Sequence, residues 1–498
     1  MKKMNTLAHR LFFIAGMILL SACNDYLDVN DDLDNPSTTE PQNLLPAILG
    51  NAATLTYNAG EISAYYSQQL VTETGFDRTR DRWDFSQEVR VGIFRHHYFD
   101  VAGNAHNLIN TAADDELAKN YTGVGQIMQA YAFLITTDVL GDMPYEEAFT
   151  GKDSPKYDTQ EEVYEQIGLL LDEGIQNLQE AIAQGNTAKP MTASDDVLFS
   201  GDLTAWTAFA HGIKARWLLH QKNVASDMGK VIEEVNTALS NWVTPSYIFS
   251  GVDTWTQNPW GPLQARPLLF SMRANVLSNS VPSTFFLDLM KSDTELDPRA
   301  FKHFEPNEGG EILSLVSGEG RGGIDGDDLP NLLDMALTKD DSPLAFMTES
   351  ELFFIRAEAQ FESDKTAAYN SYLSGIISNM QQLEVDQGEQ DTFLSNSDLV
   401  VQSSDDLTLS DIMVQKLIAT YLSPEAWVDI RRYNWDPNIY PELSRPTNVA
   451  EDIYGTDKWI TRVPYNMETE YIYNLPEIDR LGAREPEFLT VKLWWMQQ

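Results

Sequence analysis

TQEEVYEQIGLLLDEGIQNL, residues 159–178, decides the fold class. Val163, Ile167, Leu171, Ile175 and Leu178 recur every three or four positions and so share one face of a helix. Thr159 followed by Glu162 makes a capping box at its start, because the two side chains satisfy each other's orphan backbone N–H groups. The same grammar repeats. Thr348 with Glu351 opens a segment in which Leu352, Ile355 and Ala359 keep helical spacing, and Ser423 with Pro424 predicts a third helix start. A helix carrying Met128 to Val139 is expected to end at Gly141, with Pro144 preventing its continuation.

These segments come in pairs, and small residues such as Ala357, Ala359, Ala367 and Ala368 beside Tyr369 resemble degenerate tetratricopeptide repeats. The expected class is mainly α: a tetratricopeptide-like helical-repeat scaffold with a loop-rich irregular lobe. That lobe is placed at about 243–347, where prolines such as Pro245, Pro259, Pro282 and Pro330 and clustered glycines interrupt any long helix. Its many large apolar residues predict order, and a long irregular stretch in a helical body predicts a working part. With 43% hydrophobic and 11% aromatic residues the chain can bury a large core, and no linker divides it, so residues 41–498 are read as one body.

Ahead of that body, Lys2, Lys3 and Arg10 precede an apolar run, Leu11 to Leu20, too short to span a membrane comfortably. Ser21-Ala22 is a small-residue cleavage site, and Cys23 is the only cysteine of the chain. Residues 1–22 are therefore expected to be a secretory signal. Cys23 stands where a bacterial lipoprotein signal places its acylated residue, which implies a mature chain lipidated at Cys23, with residues 23–40 as a polar, acidic tether. Without the signal, 31 basic residues face 75 acidic ones, a charge of −44. Such a chain repels nucleic acid and an anionic membrane surface, so acyl chains must hold it to lipid.

Several fragments, in order, resemble the SusD/RagB family of Bacteroidetes glycan-uptake lipoproteins. They are the cysteine signal followed by Tyr26-Leu27-Asp28-Val29-Asn30, the segment Thr137 to Ala148, Gly201-Asp202 with Trp206, Ala210, Lys214, Ala215 and Arg216, then Asp297-Pro298-Arg299, Thr348 to Ala359, Gln415-Lys416, Glu425-Ala426-Trp427 and Arg431-Arg432. The chain departs from the family at Tyr433-Asn434-Trp435-Asp436-Pro437, where a Thr-Gly-x-Pro turn is common. The resemblance implies an outer-membrane, cell-exterior lipoprotein that captures oligosaccharide or polysaccharide and delivers it, uncut, to a SusC-like TonB-dependent transporter. Acidic residues soon after the cysteine resemble a surface-display signal in such lipoproteins. Two other functions are weighed: a surface glycoside hydrolase, and a helical-repeat receptor for peptide or protein.

Sugars bind through flat C–H faces on aromatic rings and through hydroxyls on polar forks. Trp255 and Trp260, in the irregular lobe among amide and hydroxyl neighbours, are the first candidates, against the alternative that a loop tryptophan plugs the core beneath it. Trp83 and Arg78 follow, in a run of arginines that either grips the glycan or pairs with Asp77, Asp81, Asp84 and Glu88. Tyr57 and Tyr65, on an early helix, either line the same cleft or pack. Trp206, Trp217 and Trp427 lie on helical patterns and are read as packing.

Gly318 to Gly323 spells GxGxxG but runs into acidic residues that would repel a pyrophosphate, so it is read as a flexible loop. Asp325, Asp327 and Asp328 match no complete calcium loop, and Leu33 occupies the glycine position of the Asp28–Asp34 alternation, so no cofactor is assigned and a structural calcium stays open. His96-His97 makes no zinc-ligand set and nothing resembles a nucleophile elbow, so no motif requires an enzyme.

Overall fold

The computed structural model describes residues 39–85, 92–225, 227–252, 256–262, 276–451, 455 and 457–497. The expected signal, Cys23, most of the tether and Trp255 lie outside them. Helices dominate: α1 (Pro41–Tyr66), α2 (Ala102–Ala113), α3 (Lys119–Leu140), α4 (Gln160–Gln184), α5 (Leu203–His220), α6 (Met228–Leu239), α7 (Glu349–Gln360), α8 (Lys365–Gln382), α9 (Gln387–Ser395), α10 (Leu409–Ala419) and α11 (Glu425–Arg432). Neighbours in sequence pack together: α2 on α3, α3 on α4, α5 on α6 and α7 on α8, with α7 also against α6 and α10.

The capping box at Thr159 and Glu162 is present in full at the start of α4. At α7 only half of it forms. Thr348 accepts from the Glu351 backbone N–H, but the Glu351 carboxylate turns away to take two hydrogen bonds from Arg216, both at 2.8 Å, because a buried ion pair outcompetes an exposed cap. α11 begins one residue later than Ser423-Pro424 suggested, with Pro424 as its N-cap. α3 ends at Leu140, where Gly141 takes φ +87.

α3 is the axis of the molecule: every residue on it except Lys119 and Thr122 is buried. It can be approached so closely because Gly123 meets Gly174 of α4. A Cβ on Gly123 would lie 2.9 Å from the Gly174 carbonyl oxygen, and one on Gly174 would lie 3.1 Å from that of Gly123.

Among the described residues of the irregular stretch, regular structure is confined to short pieces. Two-residue β2 (Ser246–Tyr247) pairs antiparallel with β4 (Leu344–Ala345), and β3 (Ser280–Pro282) pairs antiparallel with β1 (Leu70–Thr72), matching Thr72 to Ser280 and Val71 to Val281. Val71 and Val281 with Leu315 and Leu329 form a small second core under that ladder. No helix among the described residues is long and apolar enough to cross a membrane.

Candidate functional site

The end of the β1–β3 ladder opens into a cavity of about 800 Å³. α1 supplies one wall through Asn58, Glu61, Ile62, Tyr65 and Tyr66, whose spacing puts them on a single helical face. The loop after β1 supplies Thr74, Phe76, Asp77, Thr79, Arg80 and Phe85, and Val276, Asn279 and Ser280 close the far side. Of the four aromatic residues in this lining, Tyr65, Tyr66 and Phe85 are buried in the wall, and Phe76 exposes its ring beside a set of polar forks.

The loop holds its shape through two carboxylates. Asp77 accepts the backbone N–H groups of Thr79 (3.1 Å) and Arg80 (2.9 Å), and Asp81, buried, accepts the Asp77 N–H (2.8 Å) and the Thr72 hydroxyl. Burial raises the Asp81 pKa against the pull of those donors. Arg80 spans from loop to helix, 2.6 Å from Glu61 and 3.2 Å from Asp77, with its guanidinium 5.0 Å from the Tyr65 ring centroid. Burial opposes its charge, but Glu61, Tyr65 and Asp77 more than offset that and raise its pKa. Tyr65, whose pKa burial pushes up, shares a 2.6 Å hydrogen bond with Ser280. Tyr66 donates to the Thr79 carbonyl at 3.0 Å. Phe76 alone stands out of this web, with 67% of its surface exposed at the cavity wall.

Gly320 and Arg321 of the glycine-rich run, read from sequence as a flexible loop, pack against this loop, while Gly322 and Gly323 stand exposed. Gly318 and Gly320 take positive φ, Gly320 lies so close that a Cβ would fall 2.3 Å from the Thr74 carbonyl oxygen, and the Arg321 N–H donates to the Glu73 carbonyl at 2.7 Å.

The tryptophans are placed elsewhere. Trp83, 1% exposed, is folded beneath its own loop against Trp459, with ring centroids 5.6 Å apart, and Trp260, 4% exposed, packs in the main core with Tyr57 edge-on to it at 4.6 Å. Neither indole offers a face on which a sugar could stack. This corrects the expectation for both: a large apolar ring gains more from burial than its polar sequence neighbours lose by folding over it. Tyr57 is half-buried and turned to Trp260, not to the cavity, and Arg78 is ion-paired with Asp84. None of Trp83, Trp260, Tyr57 or Arg78 lines the cavity, whereas Tyr65 does. Arg80 belongs to the arginine run singled out in the sequence and takes the Asp77 pairing weighed there, whereas Phe76 and Glu61 were missed; for Glu61 the face shared by residues 58, 61, 62, 65 and 66 was the available signal.

Among the described residues that carried the family resemblance, Arg216, Asp297, Arg299, Glu351, Glu358, Lys416, Glu425 and Arg432 form buried ion pairs, and none of these eight lines the cavity. Arg432 grips Glu358 with two hydrogen bonds of 2.8 and 2.9 Å, and Lys416 reaches Asp429 at 2.9 Å, tying α7, α10 and α11 together. Burial works against the Glu358 charge, yet Arg432, Lys416 and Lys222 hold its pKa well below the usual carboxylate range. His220, at the end of α5, lies 2.8 Å from Glu425 of α11 and 3.1 Å from Asp138 of α3. Burial lowers its pKa, but the two carboxylates outweigh that and bring it up to about 9. Arg299 is held by Asp297 and by Asn379 at 3.1 Å. In the departing turn Asn434 and Trp435 both take left-handed backbone, and Trp435 stacks on Trp459 at 5.1 Å.

Residues 34–465 match the SusD-like family model described as starch-binding, associating with outer membrane. No curated protein matches the chain significantly. Among solved structures, a SusD homolog from Bacteroides uniformis superposes with a TM-score of 0.71 at 20% identity, covering 92% of this chain and 99% of that one. A chitin-binding SusD homolog from Flavobacterium johnsoniae gives 0.71 at 19% identity, over 92% and 98% of the two chains. A SusD/RagB family protein from Bacteroides thetaiotaomicron gives 0.68 at 19%, over 92% and 99%.

Proposed function

The chain belongs to the SusD-like family, described as starch-binding and associating with the outer membrane, and from that premise we propose that it is a non-catalytic, glycan-binding outer-membrane protein. The observation that carries this reading is the cavity of about 800 Å³ at which the exposed Phe76 ring stands beside Glu61, Asp77 and Arg80. Rings that cover the apolar face of a sugar, beside forks that take its hydroxyls, are what oligosaccharide recognition requires. Glu61 and Asp77 are both ion-paired to Arg80, which positions them to accept a sugar's hydroxyls. The family's description as starch-binding favours binding without cleavage over a glycoside hydrolase.

Lipidation at Cys23, display on the cell exterior and delivery to a SusC-like TonB-dependent barrel complete the proposal. A lipid-anchored binding body holds a nutrient at the surface, and a barrel partner would import it. The Cys23→Ser protein should fold but no longer fractionate with membranes, and mild detergent extraction of the native protein should recover a barrel partner.

The test of the binding reading is a panel of polysaccharides that includes starch and chitin, scored for both retention and product release. Retention of the intact polymer is expected. Release of oligosaccharide product would overturn the non-catalytic reading, and indifference to every glycan alongside capture of peptide would favour a peptide receptor.

A further inference from the structure

We propose that the cavity selects uncharged oligosaccharides and excludes uronate- and sulfate-bearing ones; this rests on the glycan-binding reading above. Among the described residues lining it, Arg80 is the only cation, facing two carboxylates, Glu61 and Asp77. Its guanidinium is already committed, with one terminal nitrogen 2.6 Å from Glu61 and the other 3.2 Å from Asp77. An anionic sugar could use Arg80 only by displacing one of these partners, leaving a partly buried carboxylate unpaired beside a second negative charge. Asp77 cannot swing away cheaply, because it also takes the backbone N–H groups of Thr79 and Arg80. The field of the whole chain, at −41, adds repulsion before contact.

Uncharged sugars meet none of these costs. Their hydroxyls donate to the remaining lone pairs of Glu61 and Asp77, and Phe76 offers an exposed ring for their C–H faces.

The experiment titrates the full chain with maltohexaose, cellohexaose, chitohexaose and hexagalacturonate, at low and at high salt, in wild type, Glu61→Gln and Phe76→Ala, with melting curves run beside each. At least one neutral hexasaccharide should bind at least about tenfold more tightly than hexagalacturonate, with Phe76→Ala weakening it. Glu61→Gln, which releases one arm of Arg80, should narrow that gap, and high salt should narrow it in wild type. Hexagalacturonate binding as tightly as the neutral ligands, and weakened by Phe76→Ala, would overturn the selectivity and leave the glycan-binding reading standing. Binding of no hexasaccharide by any of the three proteins would overturn both.

Discussion

Phe76 and Trp260 are both aromatic residues in irregular segments, and the structure gives them opposite work. Replacing Trp260 by alanine removes a ring that is 4% exposed and should lower stability by roughly 3–5 kcal/mol. Phe76→Ala removes a ring that is 67% exposed, so the melting temperature should hardly change while glycan affinity falls, by on the order of 1–3 kcal/mol. Denaturant unfolding and ligand titration on the two variants separate the effects, and a Trp260→Ala protein that melted like wild type would contradict its placement in the core. Sequence favoured the tryptophans because they were large and had polar neighbours, but neighbours along the chain do not report which way a ring folds. Among the described aromatics that line the cavity, Phe76 stays out, held between Gly75 and an Asp77 whose carboxylate is occupied with backbone donors. That distinction lies in the turn, not in the residue type.

At the scale of elements, the helices were legible wherever period and caps agreed, as in α4 with Thr159 and Glu162, and less so where tertiary pairing took a capping residue away, as it took Glu351 to Arg216. The cavity wall on α1 was half legible, since Tyr65 was singled out but Glu61 and Arg80 meet only when the loop folds back on the helix. Close helix contact at Gly123 predicts that Gly123→Ala, good for helix propensity in isolation, destabilises the protein, because its Cβ would sit 2.9 Å from the Gly174 carbonyl. A lower denaturation midpoint than wild type is the expected result. The His220 bridge between α3, α5 and α11 predicts a pH dependence. Its pKa rises from the ordinary 6.5 to about 9 on folding, so its contribution is fully present below pH 6.5 and is lost as pH rises through 9, at up to about 1.4 kcal/mol per pH unit. His97 and His303 run the other way. Burial lowers each to about 3, so their contribution is present above pH 6.5 and is lost as pH falls from there towards 3. Melting across this range should show a maximum near pH 6.5, and His220→Gln should flatten the alkaline side only; an unchanged alkaline slope would contradict the bridge.

For the whole molecule, a helical body built around α3 and locked by buried ion pairs leaves the cavity between α1, the loop after β1 and the start of β3 as a place for a ligand. The motifs that made the family recognisable, from Asp297-Arg299 to Arg431-Arg432, contribute buried ion pairs to this scaffold and do not line the cavity. That is why family and fold could be read from sequence while the binding residues could not. The central claim is that this cavity binds glycan through its exposed ring and its Arg80-centred polar wall. It is tested most directly by calorimetric titration of the best-retained oligosaccharide into wild type, Phe76→Ala and Tyr57→Ala. Phe76→Ala should lose affinity by about tenfold or more, with Tyr57→Ala, whose ring faces Trp260, binding like wild type. Unchanged binding by Phe76→Ala with loss in Tyr57→Ala would contradict it.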